Sequence, residues 1–315
     1  MDRMIDARRL RTLRAVADHG TVTAAAAVLY LTPSAVSQQL NQLENETGER
    51  LLERSGRGVA LTPAGEILLK HADLVLAQLE RADAELAAYR TGAAGTVTVA
   101  AFATGITRLV APAIARLDPG VRVRVRDAEG DESLRLLLDG ELDIAVAVEY
   151  RGAPRQGDGR LASFPLYAEP FDAVLPRDHP AADQDVLALA DLANDPWIGP
   201  YPRNPLHEVT TRACERAGFE PAVVHWSDDF SAVVALAAAG AGVALVPRTA
   251  LPARPPVSPH HPSEEALRPP ALEGVVVRPL EGPAPTRRVF AATRAGRENH
   301  PLVKAVLTAL GEVAP

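Results

Sequence analysis

One segment constrains the fold of this chain more than any other, because it combines an apolar helical pattern with an unusual polar face. Residues 31–54 read LTPSAVSQQLNQLENETGERLLER, and their apolar residues recur at helical spacing. Ser and Gln fill the other face, where surface helices usually carry Glu and Lys, which form helices better and are well solvated. Thr32 as N-cap and Pro33 in the first turn predict where this helix begins.

Two shorter helices are predicted before this segment and a β-hairpin after it. The first helix occupies about residues 6–18, and either Thr21 or Thr23 caps the second. Residues 50–61 read as two short strands joined by a Gly-containing turn. Three short helices and a two-stranded wing make a winged helix-turn-helix, a motif whose second turn helix enters the major groove of DNA.

The uncharged face of the third helix suits contact with DNA. A Gln side chain donates and accepts hydrogen bonds at once and pairs with adenine, while Ser lets the helix approach the bases closely. Arg54 and Arg57 on the wing can reach phosphates or the minor groove. The alternative is that these polar residues only solvate the helix. The residues of the third helix predicted to contact DNA are Thr32, Pro33, Ser34, Ser37, Gln38, Gln39 and Gln42.

A long helix is predicted after the wing, because Thr62 and Pro63 repeat the pair that opens the third helix. It reaches about Tyr89, and its apolar residues alternate in steps of four and three, the spacing of a coiled-coil seam. A single helix cannot bury such a seam alone, so we expect it to pair with a second copy; packing onto its own domain is the alternative. The predicted dimerisation residues are Leu68, Ala72, Val75, Leu79, Ala82 and Leu86.

The remainder of the chain alternates between strand-like and helix-like segments. Residues 91–95, TGAAG, read as a hinge, and the first strand-like run follows at 96–102. Such alternation favours βαβ units around a mainly parallel sheet, and hence an α/β fold behind an α-helical N-terminal part. Residues 252–270 are so rich in proline that regular structure is excluded, and we expect a mobile loop there.

Composition narrows the class of protein. The 315-residue chain has a net charge of −7, but residues 1–70 hold nine Lys and Arg against eight Asp and Glu. The sign of this asymmetry favours DNA binding at the N-terminal end. No apolar run is long enough for a membrane span and no secretory signal is evident, so we expect a cytoplasmic protein. The single cysteine, Cys214, excludes an intrachain disulfide and a Cys-rich metal site.

Three other functions compete with DNA binding. An enzyme would need a motif such as GxSxG, HExxH or a phosphate-binding loop; none occurs, so no catalytic residue, metal site or cofactor is predicted. A solute-binding or sensor protein would explain residues 96–300 but not the first 90 residues. A redox sensor would depend on Cys214, which has no second cysteine to pair with.

Taken together, these segments resemble LysR-type transcriptional regulators. The resemblance is strongest over residues 5–90, which include VTAAAAVLYLTPSAVSQQLNQLENETGERLLER, and fainter at LLDGELDIAVA (137–147) and ALAAAGAGVALVP (235–247). It implies that Thr21 and Thr23 contact DNA phosphate. The base-facing positions that it implies are Pro33, Ser34, Ser37 and Gln38, and those of the wing are Arg54 and Arg57.

The same resemblance predicts an effector-binding domain with a periplasmic-binding-protein-like fold, in which two α/β lobes enclose a cleft. Ligands in such folds lie at the C-terminal ends of strands, beside helix N-termini. The alternative is that polar residues at these turns only cap helices. Acidic, zwitterionic and neutral effectors all stay open. The residues expected to contact the effector are Ala103, Thr104, Glu129, Pro200, Tyr201 and Phe230.

The resemblance also implies the partners and the order of domains. We expect a homodimer or homotetramer on an imperfectly palindromic site in double-stranded DNA, with an unidentified small-molecule effector and RNA polymerase as a further candidate partner. No membrane partner is expected. The predicted domains are 1–62 (winged helix-turn-helix), 63–90 (dimerisation linker helix), 91–95 (hinge) and 96–315 (effector-binding domain), in which lobe I is about 96–167 and 274–315 and lobe II about 168–251.

Overall fold

The computed structural model describes residues 5–56, 58–89, 94–149, 159–251 and 274–315. Three predictions fall wholly or mostly outside these residues. They are the wing residue Arg57, the hinge before residue 94 and the Pro-rich loop at 252–270.

Five short elements at the N-terminal end form the predicted winged helix-turn-helix. They are α1 (Ala7–His19), α2 (Val22–Val28), α3 (Pro33–Thr47), β1 (Leu52–Ser55) and β2 (Gly58–Leu61). Asp6, Thr21 and Thr32 cap the three helices, each accepting a hydrogen bond from a backbone N–H of the first turn. The wing closes onto the helices where the N–H of Val59 donates to the carbonyl of Gly20, 2.9 Å away.

The predicted long helix, α4 (Pro63–Tyr89), follows the wing directly. The hydroxyl of Thr62 accepts a hydrogen bond from the N–H of Gly65 at 3.1 Å and so closes the helix N-terminus. A side chain at Gly65 would collide with the carbonyl oxygen of Leu51, so only glycine lets the wing pack against the first turn. No helix among the described residues is long and apolar enough to cross a membrane.

Nine further strands and six further helices, among the residues the structure describes, make up the second part of the chain. The strands are β3 (Gly95–Ala101), β4 (Val121–Asp127), β5 (Ile144–Val148), β6 (Leu161–Pro176), β7 (Pro196–Gly199), β8 (Ala222–Trp226), β9 (Ala244–Pro247), β10 (Val275–Arg278) and β11 (Thr286–Arg294). The helices are α5 (Ala103–Gly105), which continues through a π-helical turn into α6 (Ala111–Ile114), then α7 (Gly130–Leu138), α8 (Pro205–Arg216), α9 (Phe230–Ala238) and α10 (Pro301–Val313).

The larger sheet is mixed rather than mainly parallel. Its strand order is β10-β6-β11-β5-β3-β4, with β9 also paired to β6. β3 is parallel to both β4 and β5, whereas β11 and β6 run antiparallel to their neighbours. The alternation of strand-like and helix-like segments correctly predicted the α/β class. The further prediction of a mainly parallel sheet is wrong. A second, two-stranded sheet pairs β7 with β8 in parallel.

The long strands β6 and β11 connect two lobes. Lobe I contains β3, β4, β5, α7 and α10; lobe II contains β7 to β10, α8 and α9. Val275 of β10 pairs with Pro176 of β6 and packs with Val174 and Val246 in the core of lobe II. The predicted lobe boundary at residue 274 is therefore wrong for β10, because its hydrogen bonds attach it to the far half of β6.

Lobe I packs directly on the linker helix and on α1. Nε of Arg294 donates a hydrogen bond to Oε1 of Glu80 in α4 at 3.4 Å. Nε2 of His19, at the end of α1, lies 2.9 Å from Oδ1 of Asp139. Gly296, with φ 94°, approaches the backbone of α4 so closely that no side chain would fit between them. Lobe I is therefore in direct contact with the helix that carries the winged-helix domain.

Candidate functional site

α3 turns its apolar face into the domain and leaves a polar face in solvent. Val36, Leu40 and Leu43 are buried in the core of the winged-helix domain. The hydroxyl of Ser37 donates to the carbonyl of Pro33 at 2.9 Å, which keeps this small side chain close to the helix axis. The exposed residues among those predicted to contact DNA on α3 are Thr32, Pro33, Ser34, Gln38 and Gln42.

Gln39 does not belong to that face, and its predicted contact with DNA is corrected. Its Oε1 accepts a hydrogen bond from the hydroxyl of Thr12 on α1, at 2.5 Å. Thr12 is almost fully buried. The amide of Gln39 therefore joins α3 to α1, because at this helical phase its side chain points along the helix-helix contact.

Two acidic residues hold the C-terminal half of α3 in place. Glu46 accepts two hydrogen bonds from Arg9, at 2.7 and 3.0 Å, the bidentate geometry that favours an Arg–carboxylate pair. Glu44 accepts a hydrogen bond from the N–H of Leu51 at the start of the wing, at 2.8 Å. α3 is thus fixed to both α1 and the wing, so its N-terminal half is presented on a rigid support.

The other predicted DNA contacts lie on α2 and on the wing. Thr21 accepts a hydrogen bond from the N–H of Ala24 at 3.1 Å, and its hydroxyl proton can still be donated to a phosphate oxygen. Thr23 is exposed in the first turn of α2, and Arg54 is exposed on β1. Arg57 lies outside the described residues.

The predicted dimerisation residues of α4 fall into two groups, one packed against the winged-helix domain and one exposed to solvent. Ala72 is fully buried in the core of the winged-helix domain, so the prediction is wrong for this residue, and the alternative of packing onto the helix's own domain applies to it. Leu68 is only partly buried against the same core. The remaining seam residues Val75, Leu79, Ala82 and Leu86 are exposed, and so are Ile67, Leu74 and Tyr89, which the heptad pattern left out.

Between the lobes, a buried arginine connects the two halves of the cleft. Arg287 extends from β11, and its Nε donates to Glu169 of β6 at 2.7 Å. Its Nη2 donates to the hydroxyl of Thr104 in lobe I at 3.1 Å and to that of Thr249 in lobe II at 3.4 Å. Thr104 therefore accepts a hydrogen bond from a buried cation. It does not cap α5, because Phe102 occupies the N-cap position of that helix.

Aromatic rings enclose the same guanidinium. The Cζ atom of Arg287 lies 4.9 Å from the ring centroid of Phe102 and 5.9 Å from that of Phe230, distances at which a cation is attracted to the ring face. Phe230, a predicted effector residue, is the first residue of α9, and Asp229 caps that helix by accepting from the N–H of Ser231 at 2.8 Å.

Glu129 joins lobe I to lobe II across the cleft. Its Oε2 accepts a hydrogen bond from Nδ2 of Asn204 at 2.6 Å, while Oδ1 of Asn204 caps α8. Burial raises the pKa of Glu129 to about 7; the carboxylates of Asp228 and Asp127 act in the same direction, and the guanidinium of Arg287 opposes them. Glu129 is therefore partly protonated near neutral pH.

The other predicted effector residues follow the C-terminal ends of β3 and β7. Ala103 is exposed at the start of α5, and Pro200 is partly buried after β7. Tyr201 is exposed; its ring stacks on Trp226 at a centroid distance of 6.2 Å, and its N–H donates to Asp228 at 3.0 Å. These contacts join the turn after β7 to the segment that ends β8.

Sequence reasoning missed Arg287, Glu169 and Asn204. The pattern of β11 carried a signal for the first, because Arg287 has the same alternation phase as Val289 and Ala291, which are buried. A charged residue at a buried phase of a strand requires a partner, and Glu169 lies directly opposite it in the ladder. No comparable signal marks Asn204, which reads as an ordinary helix cap.

Cys214 is buried in α8, and burial raises the pKa of its thiol to about 12. At neutral pH almost no thiolate forms, which argues against the redox-sensor alternative. Within the described ranges, no group of three His, Cys, Asp or Glu side chains lies close enough to hold a metal ion.

Two family models match the chain. Residues 7–66 match the model described as "Bacterial regulatory helix-turn-helix protein, lysR family", and residues 90–315 match the "LysR substrate binding domain". The second match covers most of the chain and includes every residue of the cleft named above.

The chain is also similar to individual transcriptional regulators. The chain is 30% identical to the HTH-type transcriptional regulator AlsR of Bacillus subtilis (strain 168), with 78% of this chain and 82% of AlsR aligned. It is 29% identical to the regulator MetR of Escherichia coli (strain K12), over 96% of this chain and 89% of MetR. Its fold is similar to that of a full-length OxyR variant from Pseudomonas aeruginosa, with a TM-score of 0.61, 24% identity and coverage of 99% and 97%.

Proposed function

Because the chain belongs to the LysR family of bacterial transcriptional regulators, we propose that α3 reads DNA sequence and that a small molecule between the lobes controls it. As a member of this family, the protein combines a helix-turn-helix DNA-binding domain with an effector-binding domain. The division into domains near residues 62, 90 and 95 is part of the proposal.

The orientation of α3 is the observation that carries the DNA-binding proposal. Its apolar face is buried, its C-terminal half is held by Arg9 and by the wing, and Ser34 and Gln38 stand in solvent at the end that enters a major groove. CbnR, a LysR family regulator solved with its target DNA, shares this fold with a TM-score of 0.53 and 24% identity. The proposed DNA-contacting residues are Thr21, Thr23, Thr32, Pro33, Ser34, Ser37, Gln38, Gln42, Arg54 and Arg57.

The exposed half of α4 supports a dimer. Leu79 is 47% and Leu86 61% exposed, as is expected of apolar side chains that a second helix covers. A dimer brings two winged helices to one imperfectly palindromic site, and association through the effector-binding domains produces a tetramer. The proposed contacts are Leu68, Val75, Leu79, Ala82 and Leu86, joined by Ile67, Leu74 and Tyr89.

The position of lobe I supports a mechanism by population shift. Effector binding favours one arrangement of the lobes, and lobe I contacts α4 through Arg294 and Gly296. The spacing of the DNA-binding domains and the bend of the DNA change in consequence. The proposed effector contacts are Ala103, Thr104, Glu129, Pro200, Tyr201 and Phe230, to which the structure adds Arg287 and Asn204.

The same proposal places the protein in the cytoplasm, where its DNA target lies, and gives it no catalytic activity. The absence of a catalytic sequence motif supports the second statement.

A gel-shift and footprint experiment tests DNA reading. Full-length protein is titrated onto DNA from upstream of its own gene, across a salt series and with nonspecific competitor. A protected, roughly two-fold-symmetric site that survives competitor is expected. Gln38→Ala should reduce discrimination between this site and a mutated site by about 1–3 kcal/mol, the contribution of one good base contact.

Asn45→Ala is the matched control, because Asn45 is an exposed amide on the same helix face, two turns nearer the C-terminus. It should leave discrimination unchanged. Equal losses in the two variants would show that the N-terminal half of α3 is not the reading surface, and the absence of any specific site at any salt concentration would contradict the proposal itself.

A further inference from the structure

The winged-helix domain and lobe I meet through two pairs of polar side chains near the end of α1. Nη1 of Arg160, just before β6, donates a hydrogen bond to Oδ1 of Asp18 at 3.1 Å. Nε2 of His19 lies 2.9 Å from Oδ1 of Asp139, the residue that follows α7. These four side chains, which we call the clasp, are between 11% and 26% exposed, so the contact shields them from most of the solvent.

No hydrophobic core joins the winged-helix domain to lobe I among the described residues. The buried apolar side chains fall into four clusters, and none of these contains residues of both parts. The packing is also incomplete, because a cavity of about 360 Å³ remains between α1, α4 and lobe I. Relative motion is expected of two domains whose contact is polar and loosely packed. The clasp is therefore a contact that can open.

A second contact between the same two parts is of a different kind. In the turn after β11, Gly296 lies so close to the backbone of α4 at Ala77 that any side chain would collide with it. Arg294 and Arg297, on either side of this glycine, both donate to the carboxylate of Glu80, at 3.4 and 3.3 Å. Close backbone packing with ion pairs on both sides makes this the fixed point between α4 and lobe I.

Together the two contacts define an angle, because they lie on different helices of one domain. Ala72 belongs to the core of the winged-helix domain, so the first part of α4 moves with that domain. The fixed point at Ala77 lies only about one and a half turns further along α4. With the fixed point alone, the winged-helix domain is free to tilt about it, and the clasp on α1 prevents this tilt.

From this arrangement we infer that the clasp sets the angle between the winged-helix domain and lobe I, and that its opening releases the domain to other angles. Lobe I is thus a docking surface for the winged-helix domain of its own chain. Asp139 and Arg160 are positioning residues for DNA binding that touch no DNA. The inference rests on the proposed function in one respect, because it takes the orientation of the DNA-binding domain as the quantity that is regulated.

One helix connects the clasp with the cleft between the lobes. Glu129, the N-cap residue of α7, accepts a hydrogen bond from Asn204 of lobe II at 2.6 Å, and Asp139 follows the last turn of the same helix. The nine residues of α7 span about 13 Å, and Leu134 and Leu137 are buried in the core of lobe I. A packed helix behaves as a rigid element. A change in the contact between the lobes at one end of α7 therefore affects the clasp at the other.

Spin-label distances in the full-length protein test the clasp. Labels are attached to Asn45→Cys on α3 and Lys304→Cys on α10, both exposed, while Cys214 is buried and takes no label. Labelled chains are diluted into unlabelled ones, so that each oligomer carries one pair. Asp139→Ala combined with Arg160→Ala should broaden the distance distribution. In the unchanged protein, raising the salt from about 0.1 to about 1 M should also broaden it, because the Debye length falls from about 10 to about 3 Å.

Two further double variants separate the clasp from general effects of charge or folding. Arg126→Ala with Glu141→Ala is the matched control, because this exposed ion pair, 3.2 Å long, lies within lobe I. It should leave the distance distribution as it is in the unchanged protein. Asp18→Ala with His19→Ala removes the clasp from the side of α1 and should reproduce the broadening, although lobe I is untouched.

Operator affinity measures whether the clasp is coupled to the cleft. Gel-shift titrations of the unchanged protein, Asn204→Ala, Asp139→Ala and the double variant form a thermodynamic cycle. Because the two changes lie at opposite ends of α7, their combined effect should differ from the product of the single effects by about threefold or more. Glu208→Ala replaces Asn204→Ala in the control cycle, since Glu208 forms its ion pair within α8. The effects in that cycle should multiply.

Each outcome supports or overturns the inference. Unchanged distance distributions in both clasp variants would overturn it, and so would equal broadening in the control variant. Independent effects of Asn204→Ala and Asp139→Ala on operator affinity would contradict the part assigned to α7. The absence of a specific operator would contradict the proposed function instead, whereas the distances, measured without DNA, would still decide whether the clasp holds the domain.

Discussion

The DNA-contacting face of α3 and the effector cleft are built in opposite ways. The face on α3 comes from one continuous segment, in which Thr32 caps the helix and the exposed residues follow at helical spacing. The cleft is assembled from distant parts of the chain: Thr104 meets Arg287 across 183 residues of sequence, and Glu129 meets Asn204 across 75. A surface made by one helix can be predicted from sequence, whereas a site assembled from many distant elements cannot.

The two regions also differ in how their polar groups are used. On α3 the reading groups are exposed, so a change there should alter recognition and leave stability almost unchanged. In the cleft the polar groups are buried and hydrogen-bonded, so recognition and stability should change together. Both tryptophans of the chain, Trp197 and Trp226, lie in lobe II, and their fluorescence therefore reports the unfolding of the effector-binding domain alone.

The largest expected effect comes from removing the cation of the cleft. Arg287→Ala leaves the carboxylate of Glu169 buried without its partner and should destabilise the effector-binding domain by about 3–5 kcal/mol. Denaturant unfolding followed by tryptophan fluorescence measures the loss. Arg288→Ala, at the next and exposed position of β11, is the control and should change stability by less than about 0.5 kcal/mol. Similar midpoints for the two variants would show that Arg287 is not a structural connection between the lobes.

A smaller effect should appear in the pH dependence of the stability of the same domain. The pKa of Glu129 is raised in the folded protein, from 4.5 to about 7, so the native state keeps this proton to higher pH than the unfolded chain. Stability that is present below pH 4.5 is therefore lost as the pH rises through 7, by about 1–3 kcal/mol. Glu129→Gln should remove that part of the pH dependence and be the more stable protein at pH 8. Parallel pH profiles for the two proteins would contradict the raised pKa.

In the DNA-binding domain, Gln39→Ala should lower stability and leave sequence discrimination unchanged, the opposite of what is expected for Gln38→Ala. It removes the hydrogen bond to Thr12 that joins α3 to α1, and should lower the stability of the winged-helix domain by about 1 kcal/mol. Thermal unfolding followed by circular dichroism measures this, with tryptophan fluorescence as the reference for the unchanged domain. Sequence discrimination should stay as it is. A loss of discrimination in Gln39→Ala without a loss of stability would restore this residue to the reading face.

The smallest effect is expected on the wing. Arg54 is exposed on β1, and Arg54→Ala should weaken binding to all DNA sequences about equally while lowering the slope of log affinity against log salt by about 0.9. Filter binding over a salt series measures the slope. Arg50→Ala is the control, because it removes the same charge from an exposed residue just before the wing. Equal slopes in Arg54→Ala and the unchanged protein would mean that this arginine touches no phosphate.

The sequence alone determined the parts of this protein that depend on neighbouring residues. Caps at Thr32 and Thr62 and the spacing of apolar residues predicted α3 and α4, because helix termini and helix faces are set within one or two turns. The exposed Ser and Gln residues of α3 followed from the same pattern. Only Gln39 was misplaced, since its direction depends on where α1 lies.

Tertiary structure decided whatever depends on contacts between distant segments. The part of β6 before Phe171 contains Pro165 and Pro170, which argue against a strand, yet it forms one because β11 lies beside it in a ladder. Ala72 packs within its own domain rather than in a dimer seam because the winged-helix core reaches that far along α4. Arg287 and Asn204 became cleft residues because the crossing strands bring both lobes to one place, and a buried charge or amide takes its role from its partners rather than from its neighbours in sequence.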